Sequence, residues 1–225
     1  MPERAGGPRP GNVVASELLK LRTLPAVILA AATTVVLTGL LTLALSATGD
    51  AATVQVTTYS QIGVVLVGIL AATSEYDDRQ IVTSLISVPD RLLLACAKAI
   101  ACALTVAGIA TLTVAAAHLA VVNRLAETSV VSAAGTIVYL TVLALFGHGV
   151  GLMLRGTIPA LVTVLLLAYV ALPLLGRVGD YLPGQAGSQL HQSDPAIGLS
   201  TAALVAWAVA ALTASTSTFL RRDAA

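Results

Sequence analysis

The side chains that could do chemistry within the apolar parts of this sequence are two cysteines and two histidines. Cys96 and Cys102 lie in one predicted helix, about 9 Å apart along its axis, which is too far for a disulfide between them. With no Cys-x-x-Cys motif and no Cys/His cluster, they indicate two small buried thiols. His118 lies near the end of a predicted span, and His148 lies between glycines in FGHGVG. Either histidine could bind a ligand or relay a proton, but a hydrogen-bonded structural role is the favoured interpretation.

Motifs for catalysis or nucleotide binding do not occur in the sequence. Without Gly-x-x-x-x-Gly-Lys-Ser/Thr or Gly-x-Ser-x-Gly, neither ATP hydrolysis nor acyl transfer is predicted. The glycines around His148 lie in an apolar stretch with no preceding strand and no following acidic partner, unlike a dinucleotide fingerprint. Gly147 and Gly151 instead have the spacing that lets membrane helices approach closely. We therefore predict helix packing for these two glycines, and no catalytic residue, cofactor or metal site.

Charged residues are excluded from long stretches of this chain. Of its 225 residues, 57% are hydrophobic and 10% are charged, and the mean hydropathy is +0.92, whereas about a quarter of an ordinary soluble domain is charged. About 20 helical residues cross a hydrocarbon core about 30 Å thick. The sequence predicts an all-α polytopic membrane protein, with one transmembrane domain over residues 1–225. Its six spans are predicted at about residues 25–47, 54–73, 92–122, 130–154, 159–175 and 195–220.

The basic residues predict the orientation of these spans. With a cytoplasmic amino terminus, ten of the twelve lysines and arginines lie inside, and only Arg124 and Arg177 lie outside. This agrees with the positive-inside rule and predicts two cytoplasmic termini. A cleaved signal peptide is disfavoured because its apolar run would be about 7 to 15 residues long, whereas the first apolar stretch of this chain is about 20 residues long. A net charge of +1 without a basic cluster predicts no nucleic-acid partner.

The cytoplasmic tail, residues 1–24, contains a short amphipathic helix in the segment VVASELLKLRTLP. One arc of this helix carries the polar residues Ser16, Glu17, Lys20 and Thr23. The opposite arc is apolar, which is typical of a helix lying in the membrane interface. Arg22 projects from the apolar arc and is expected to reach the lipid headgroups. The alternative is a simple basic anchor for the first span.

The densest polar segment, SEYDDRQIVTSLISVPDR, separates the second and third spans. Within it one helical face consists of Ile81, Val82, Leu85 and Ile86, and the opposite face consists of Thr83, Ser84 and Ser87. A short amphipathic helix is therefore predicted, ended by Pro89, with Asp90 capping the third span. Such a helix at the cytoplasmic surface is suited to receive a push from a soluble partner. The alternative is a solvated loop.

The stretches GILAATSEY and IVTSLISVPDRLLLACAKA resemble permease subunits of bacterial ATP-binding-cassette (ABC) exporters of the type-two permease class. In that family the second span is followed by Glu-Tyr or Glu-Phe, a Thr-containing amphipathic helix, a Pro-x-Arg turn and a lysine entering the third span. The matching residues here are Glu75, Tyr76, Thr83, Pro89, Arg91 and Lys98. The segments SELLKLRTLP, YLPGQAGSQL and FLRRDAA also resemble the family, so the resemblance covers most of the chain in order. Asp77 and Asp78 depart from it, since many relatives carry a basic residue or glycine there.

The resemblance implies a non-enzymatic subunit of the bacterial cytoplasmic membrane. It implies a second permease copy as partner, in a homodimer or heterodimer, membrane lipid around it, and a separate cytoplasmic ATPase that binds ATP and magnesium. The residues implied in coupling to the ATPase are Glu75, Arg79, Ile81, Thr83, Leu85, Pro89 and Arg91. An interfacial connecting helix would contain Glu17, Lys20 and Arg22. A re-entrant extracellular link before the last span would contain Pro183, Gly184 and Gly187.

ATP-driven export of a small molecule, lipid or peptide is the function that this resemblance implies. The alternative is a self-sufficient channel or secondary carrier. Such carriers usually hold an ionisable residue inside their spans, whereas every Asp and Glu here maps to a loop or a span end. A membrane-embedded enzyme such as an intramembrane protease is disfavoured because no paired nucleophile and base is present.

Overall fold

The computed structural model describes residues 9–45, 52–77, 86, 88, 90–120, 130–167, 182–186 and 197–222. Within these ranges the regular structure is entirely helical, which confirms the predicted all-α class. The helices are α1 (Pro10–Thr23), α2 (Pro25–Leu45), α3 (Ala52–Asp77), α4 (Arg91–Ala120), α5 (Val130–Leu154), α6 (Thr157–Leu165), α7 (Pro183–Ala186) and α8 (Ile197–Arg222).

Four helices in the described part of the chain are long and apolar enough to cross a membrane: α2, α4, α5 and α8. They coincide with the first, third, fourth and sixth predicted spans, and they fit a multi-pass membrane protein. The second predicted span lies within α3, of which Ser60–Tyr76 is an apolar helical stretch below that length. The fifth begins in α6 and continues into residues that the structure does not describe. Six spans therefore stay a prediction.

Helix α2 distributes its side chains as a lipid-facing helix does. Its buried residues are Val27, Thr34, Thr38 and Thr42. Large aliphatic side chains such as Leu29 and Leu40 are more than half exposed. The hydroxyls of Thr34 and Thr42 each donate to the main-chain carbonyl four residues earlier, so these two donors are bonded within their own helix. This arrangement suits hydrocarbon, because lipid covers the leucines while small residues pack between helices.

Helix α5 is the central helix of the bundle and packs against α3, α4, α6 and α8. Its contact with α3 is very close at Gly68, where an added Cβ would lie 2.3 Å from the carbonyl oxygen of Ala144. Gly149 makes a similar approach to α8, where an added Cβ would lie 2.8 Å from the carbonyl carbon of Ala211. Main-chain atoms cannot turn aside as side chains can, so these two contacts require glycine.

The predicted packing pair, Gly147 and Gly151, lies in the same contact between α3 and α5. An added Cβ would lie 3.3 Å from Val65 at the first position and 2.9 Å from Ala72 at the second. Both glycines therefore face α3 at short range.

Helix α1 lies across the start of α4. Its buried face repeats every four residues, at Val13, Glu17 and Leu21, and Val13 belongs to a small apolar cluster with Val88, Leu94, Ala95 and Ala97. The predicted cap of the third span is present, since the Leu93 main-chain N–H donates to Asp90 Oδ1 at 3.0 Å. The start of α4 is thus fixed both by its cap and by α1.

Candidate functional site

Four charged side chains meet where α1, α3 and α4 come together. We call them the charge ring: Glu17 and Lys20 on α1, Glu75 on α3 and Lys98 on α4. Lys20 Nζ lies 2.7 Å from Glu17 Oε1 and 3.0 Å from Glu75 Oε1. Lys98 Nζ lies 2.9 Å from Glu17 Oε2 and 2.7 Å from Glu75 Oε1. Each ammonium group contacts both carboxylates, so positive and negative charges alternate around a closed ring.

Three members of the charge ring are removed from solvent. The exposed fraction of the side chain is 7% for Glu17, 8% for Glu75 and 5% for Lys98, but 44% for Lys20. The three buried groups together carry one negative charge, and Lys20 neutralises it from the rim. Because an unpaired buried charge is strongly destabilising, the ring is balanced only when all four members are present.

Lys20 stays protonated in this setting. Burial disfavours its charged form, but hydrogen bonds and charge interactions with Glu17 and Glu75 outweigh that effect, and the pKa of Lys20 is raised above its ordinary value. The rim cation is therefore available to the ring over the whole physiological pH range.

The position of Glu17 differs from the sequence interpretation. Ser16, Lys20 and Thr23 are exposed as expected of a polar arc, but Glu17 lies on the buried face of α1 between Val13 and Leu21. The reason is Lys98, which neutralises the carboxylate inside the bundle. The periodicity of one helix gives no information about a charged partner on another helix.

A cavity of about 30 Å³ lies beside the charge ring, between α1 and α3. It is large enough for a water molecule. Its lining is formed by Glu17, Lys20, Leu21, Leu24, Ala71, Ser74 and Glu75. At this point α1 and α3 are therefore joined by an ion pair beside a gap, not by continuous apolar packing.

Among the predicted coupling residues, the structure describes only Glu75 and Arg91. Glu75 is in the charge ring, and Arg91 is the first residue of α4. The others, Arg79, Ile81, Thr83, Leu85 and Pro89, lie outside the described residues, and so does Gly187 of the predicted link. Arg22 of the predicted connecting helix is exposed on α1 and is not part of the ring.

Lys98 is the site residue that the sequence interpretation missed. It was recognised as the lysine entering the third span, but no contact was assigned to it. The available signal was its position seven residues into an apolar helix, where a cation requires a partner or a route to the headgroups.

A second polar contact lies deeper in the bundle, at Gln61, which is 14 residues before Glu75 on α3. The Tyr139 hydroxyl donates to Gln61 Oε1 of α3 and lies 3.1 Å from the carbonyl oxygen of Gly184. Pro183 and Gly184, both predicted for the link before the last span, are buried, and the short helix α7 packs on α8. Tyr139 thus ties this segment to both α3 and α5.

We expect Tyr139→Phe to lower the free energy of unfolding by about 1–2 kcal/mol, because the buried Gln61 Oε1 would lose the hydroxyl that donates to it. Thermal unfolding of the detergent-solubilised protein measures the change. Thr163→Val is a suitable control, since it removes an exposed hydroxyl that bonds only within its own helix. Equal effects of the two substitutions would contradict a stabilising role for the Tyr139 contact.

The two histidines also hydrogen-bond to the main chain. His118 Nδ1 lies 2.8 Å from the Val114 carbonyl oxygen, and His148 Nδ1 lies 3.2 Å from that of Gly68. The prediction of two buried thiols is confirmed for Cys102, which is buried, and wrong for Cys96, which is exposed, because six residues turn a helix by about 240° and so put the two thiols on different faces. Within the described ranges no group of three or more His, Cys, Asp or Glu residues could hold a metal ion.

The charge ring can link helices but has no reactive group of its own. Each carboxylate is shared between two ammonium groups, which favours fixed ion pairs over proton transfer or nucleophilic attack. The chain matches no family model and no curated protein. Its function must therefore be inferred from the ring, the bundle and the sequence resemblance.

Proposed function

We propose that this protein is the membrane-spanning permease subunit of an ABC exporter, driven by a separate cytoplasmic ATPase. The observation that carries the proposal is the charge ring, which joins α1 to the facing ends of α3 and α4. A motor outside the membrane needs a surface element that is firmly connected to the spans. The ordered sequence resemblance supports this proposal, as does the positive-inside pattern, which predicts that α1 and the ring lie at the cytoplasmic side.

The ring brackets the segment on which the ATPase would act. Helix α3 ends at Asp77 and α4 begins at Arg91, so the predicted coupling helix lies between two helices that both carry ring residues. Glu75 is two residues before the end of α3, and Lys98 is seven residues after the start of α4. A displacement of that segment would therefore reach α1 through Glu75 and Lys98.

The proposed substrate path runs between two permease copies. Close contacts of α5 with α3 at Gly68 and with α8 at Gly149 fill the middle of one copy. ATP-driven closure of the ATPase dimer would pull on the two coupling helices and open the shared interface outward. The buried Gly184 and its contact with Tyr139 support a re-entrant link that covers the path on the side opposite the ring.

A secondary carrier is the second candidate, favoured by the burial of Glu17 and Glu75. Buried ionisable groups are typical of ion-coupled carriers. A proton-coupled carrier needs a carboxylate that takes up and releases protons during transport. Both ring carboxylates instead contact two ammonium groups each, an arrangement that suits fixed ion pairs between helices. The permease is therefore the better-supported function.

Purification of the tagged protein from its native membrane in a mild detergent tests the proposal. We expect a Walker-motif ATPase to co-purify, and deletion of residues 81–87 to abolish its binding, because that segment is the proposed docking element. Deletion of residues 2–8, which has the same length, is the control and should leave binding intact. Export from proteoliposomes driven by an ion gradient, with no ATPase present, would contradict the proposal and favour the carrier.

A further inference from the structure

Apart from the charge ring, helix α1 has a larger contact with α4 than with α3. Helix α1 packs on α4 through the apolar cluster around Val13, but it meets α3 through the Lys20–Glu75 ion pair beside the cavity. Lys98 contacts Glu17 of α1 and Glu75 of α3 at once. The attachment of α1 to α3 therefore depends on charge more than on apolar packing.

We propose that Glu17 and Lys98 are positioning residues, which close the four charges into one unit and thereby hold α1, α3 and α4 as a single rigid body. Without Lys98, the two buried carboxylates would lose one of the two ammonium groups that they share, and α1 would separate from α3. The link to transport rests on the proposed function: α1 would follow the coupling segment only while the ring is closed.

The alternation of charge predicts a specific pattern of effects when charges are exchanged. Exchanging the α1 pair, Glu17→Lys with Lys20→Glu, places like charges opposite Lys98 and Glu75. Exchanging the other pair, Glu75→Lys with Lys98→Glu, has the same effect. Combining both exchanges restores alternation around the whole ring. Independent ion pairs would behave differently, because the second exchange alone would preserve the attraction between positions 75 and 98.

The labelling rate of a cysteine at Leu21, which is buried on α1 and lines the cavity between α1 and α3, reports the docking of α1 on α3. The background carries Cys96→Ser and Cys102→Ala, since Cys96 is exposed, and the probe is a water-soluble maleimide added to the protein in nanodiscs. We expect each double exchange to raise the rate about tenfold, in line with coupling energies between contacting residues. The fourfold exchange, in which all four ring residues are exchanged, should return the labelling rate to within about threefold of the parent rate. A fourfold exchange that labels as fast as the double exchanges, or an exchange at 75 and 98 that labels like the parent, overturns the ring.

A milder series decides the same point if a double exchange fails to insert into the membrane. Lys98→Met should speed labelling, and adding Glu17→Gln should slow it again, because Lys20 and Glu75 then remain as a balanced pair. Lys98→Arg should label close to the parent rate. If the variant that combines Lys98→Met with Glu17→Gln labels faster than Lys98→Met alone, the charge-balance explanation is overturned.

The role in transport has its own measurement, the amount of substrate exported per ATP hydrolysed in the reconstituted complex. We expect the double exchanges to lower this ratio about tenfold and the fourfold exchange to restore it. If no ATPase binds the protein, the proposed function fails, while the labelling series still decides the ring. If the ATPase binds and the ratio is unchanged although α1 is undocked, the positioning role is overturned and the proposed function stands.

Discussion

Replacing Lys98 by methionine is expected to lower the free energy of unfolding by about 3–5 kcal/mol, the usual cost of removing one partner from a buried ion pair. Methionine fills a similar volume, so the loss comes from charge and not from a cavity. While α1 stays docked, Glu17 and Glu75 would keep Lys20 as their shared partner within the ring, and this uncompensated state opposes docking. Equilibrium unfolding of the protein in mixed micelles measures the change.

The matched control is Lys20→Met, at a lysine that likewise contacts both carboxylates of the ring. This change leaves the three buried groups with one excess negative charge, but because the Lys20 side chain is 44% exposed, water and salt can compensate much of that charge. We therefore expect a loss of about 1 kcal/mol, well below that of Lys98→Met. Lys98→Arg keeps the charge and should lie between the parent and Lys98→Met. If Lys98→Met and Lys20→Met cost the same, burial is not what gives Lys98 its importance.

Gly68→Val is expected to cost about 3 kcal/mol or more, at the upper end of what overpacking costs. The new Cβ would lie 2.3 Å from the Ala144 carbonyl oxygen, and α5 is held on its far side by α8. Relief therefore requires α3 and α5 to move apart along their whole contact. The thermal unfolding midpoint in detergent and the yield of monodisperse protein both report this effect.

Gly108→Val in α4 is the control for the Gly68 substitution, since an added Cβ there meets nothing within 4 Å. We expect a change below about 0.5 kcal/mol at such an open surface position. Similar losses at both positions would mean that valine acts through helix propensity and not through the contact with Ala144.

Sequence patterns predicted the parts of this fold that depend on local chain chemistry. The bounds of α5 follow from the length of an uncharged stretch, and the Asp90 cap follows from the residue type before an apolar helix. Gly147 and Gly151 were visible because their spacing is regular. By contrast, nothing in the sequence around Gly68 marks the place where α3 meets the main chain of α5.

The charge ring could not be predicted from local sequence patterns. Glu17 has polar neighbours on its own helix and was assigned to a polar arc, although its partner Lys98 lies 81 residues away in sequence. Glu75 was identified through the family resemblance and not through its contacts. Pairing between distant charges depends on how three helices pack, and helical periodicity carries no information about that packing.

The threonines of α2 bear on the order in which the bundle assembles. Since Thr34 and Thr42 bond within their own helix, α2 can enter lipid alone and afterwards pack Thr34 onto Gly63 of α3. The charge ring cannot form in that way, because its members arrive on three helices. The ring can therefore close only once all three helices are in place. Closure of the ring distinguishes a correctly assembled bundle from a set of helices that have merely reached the membrane.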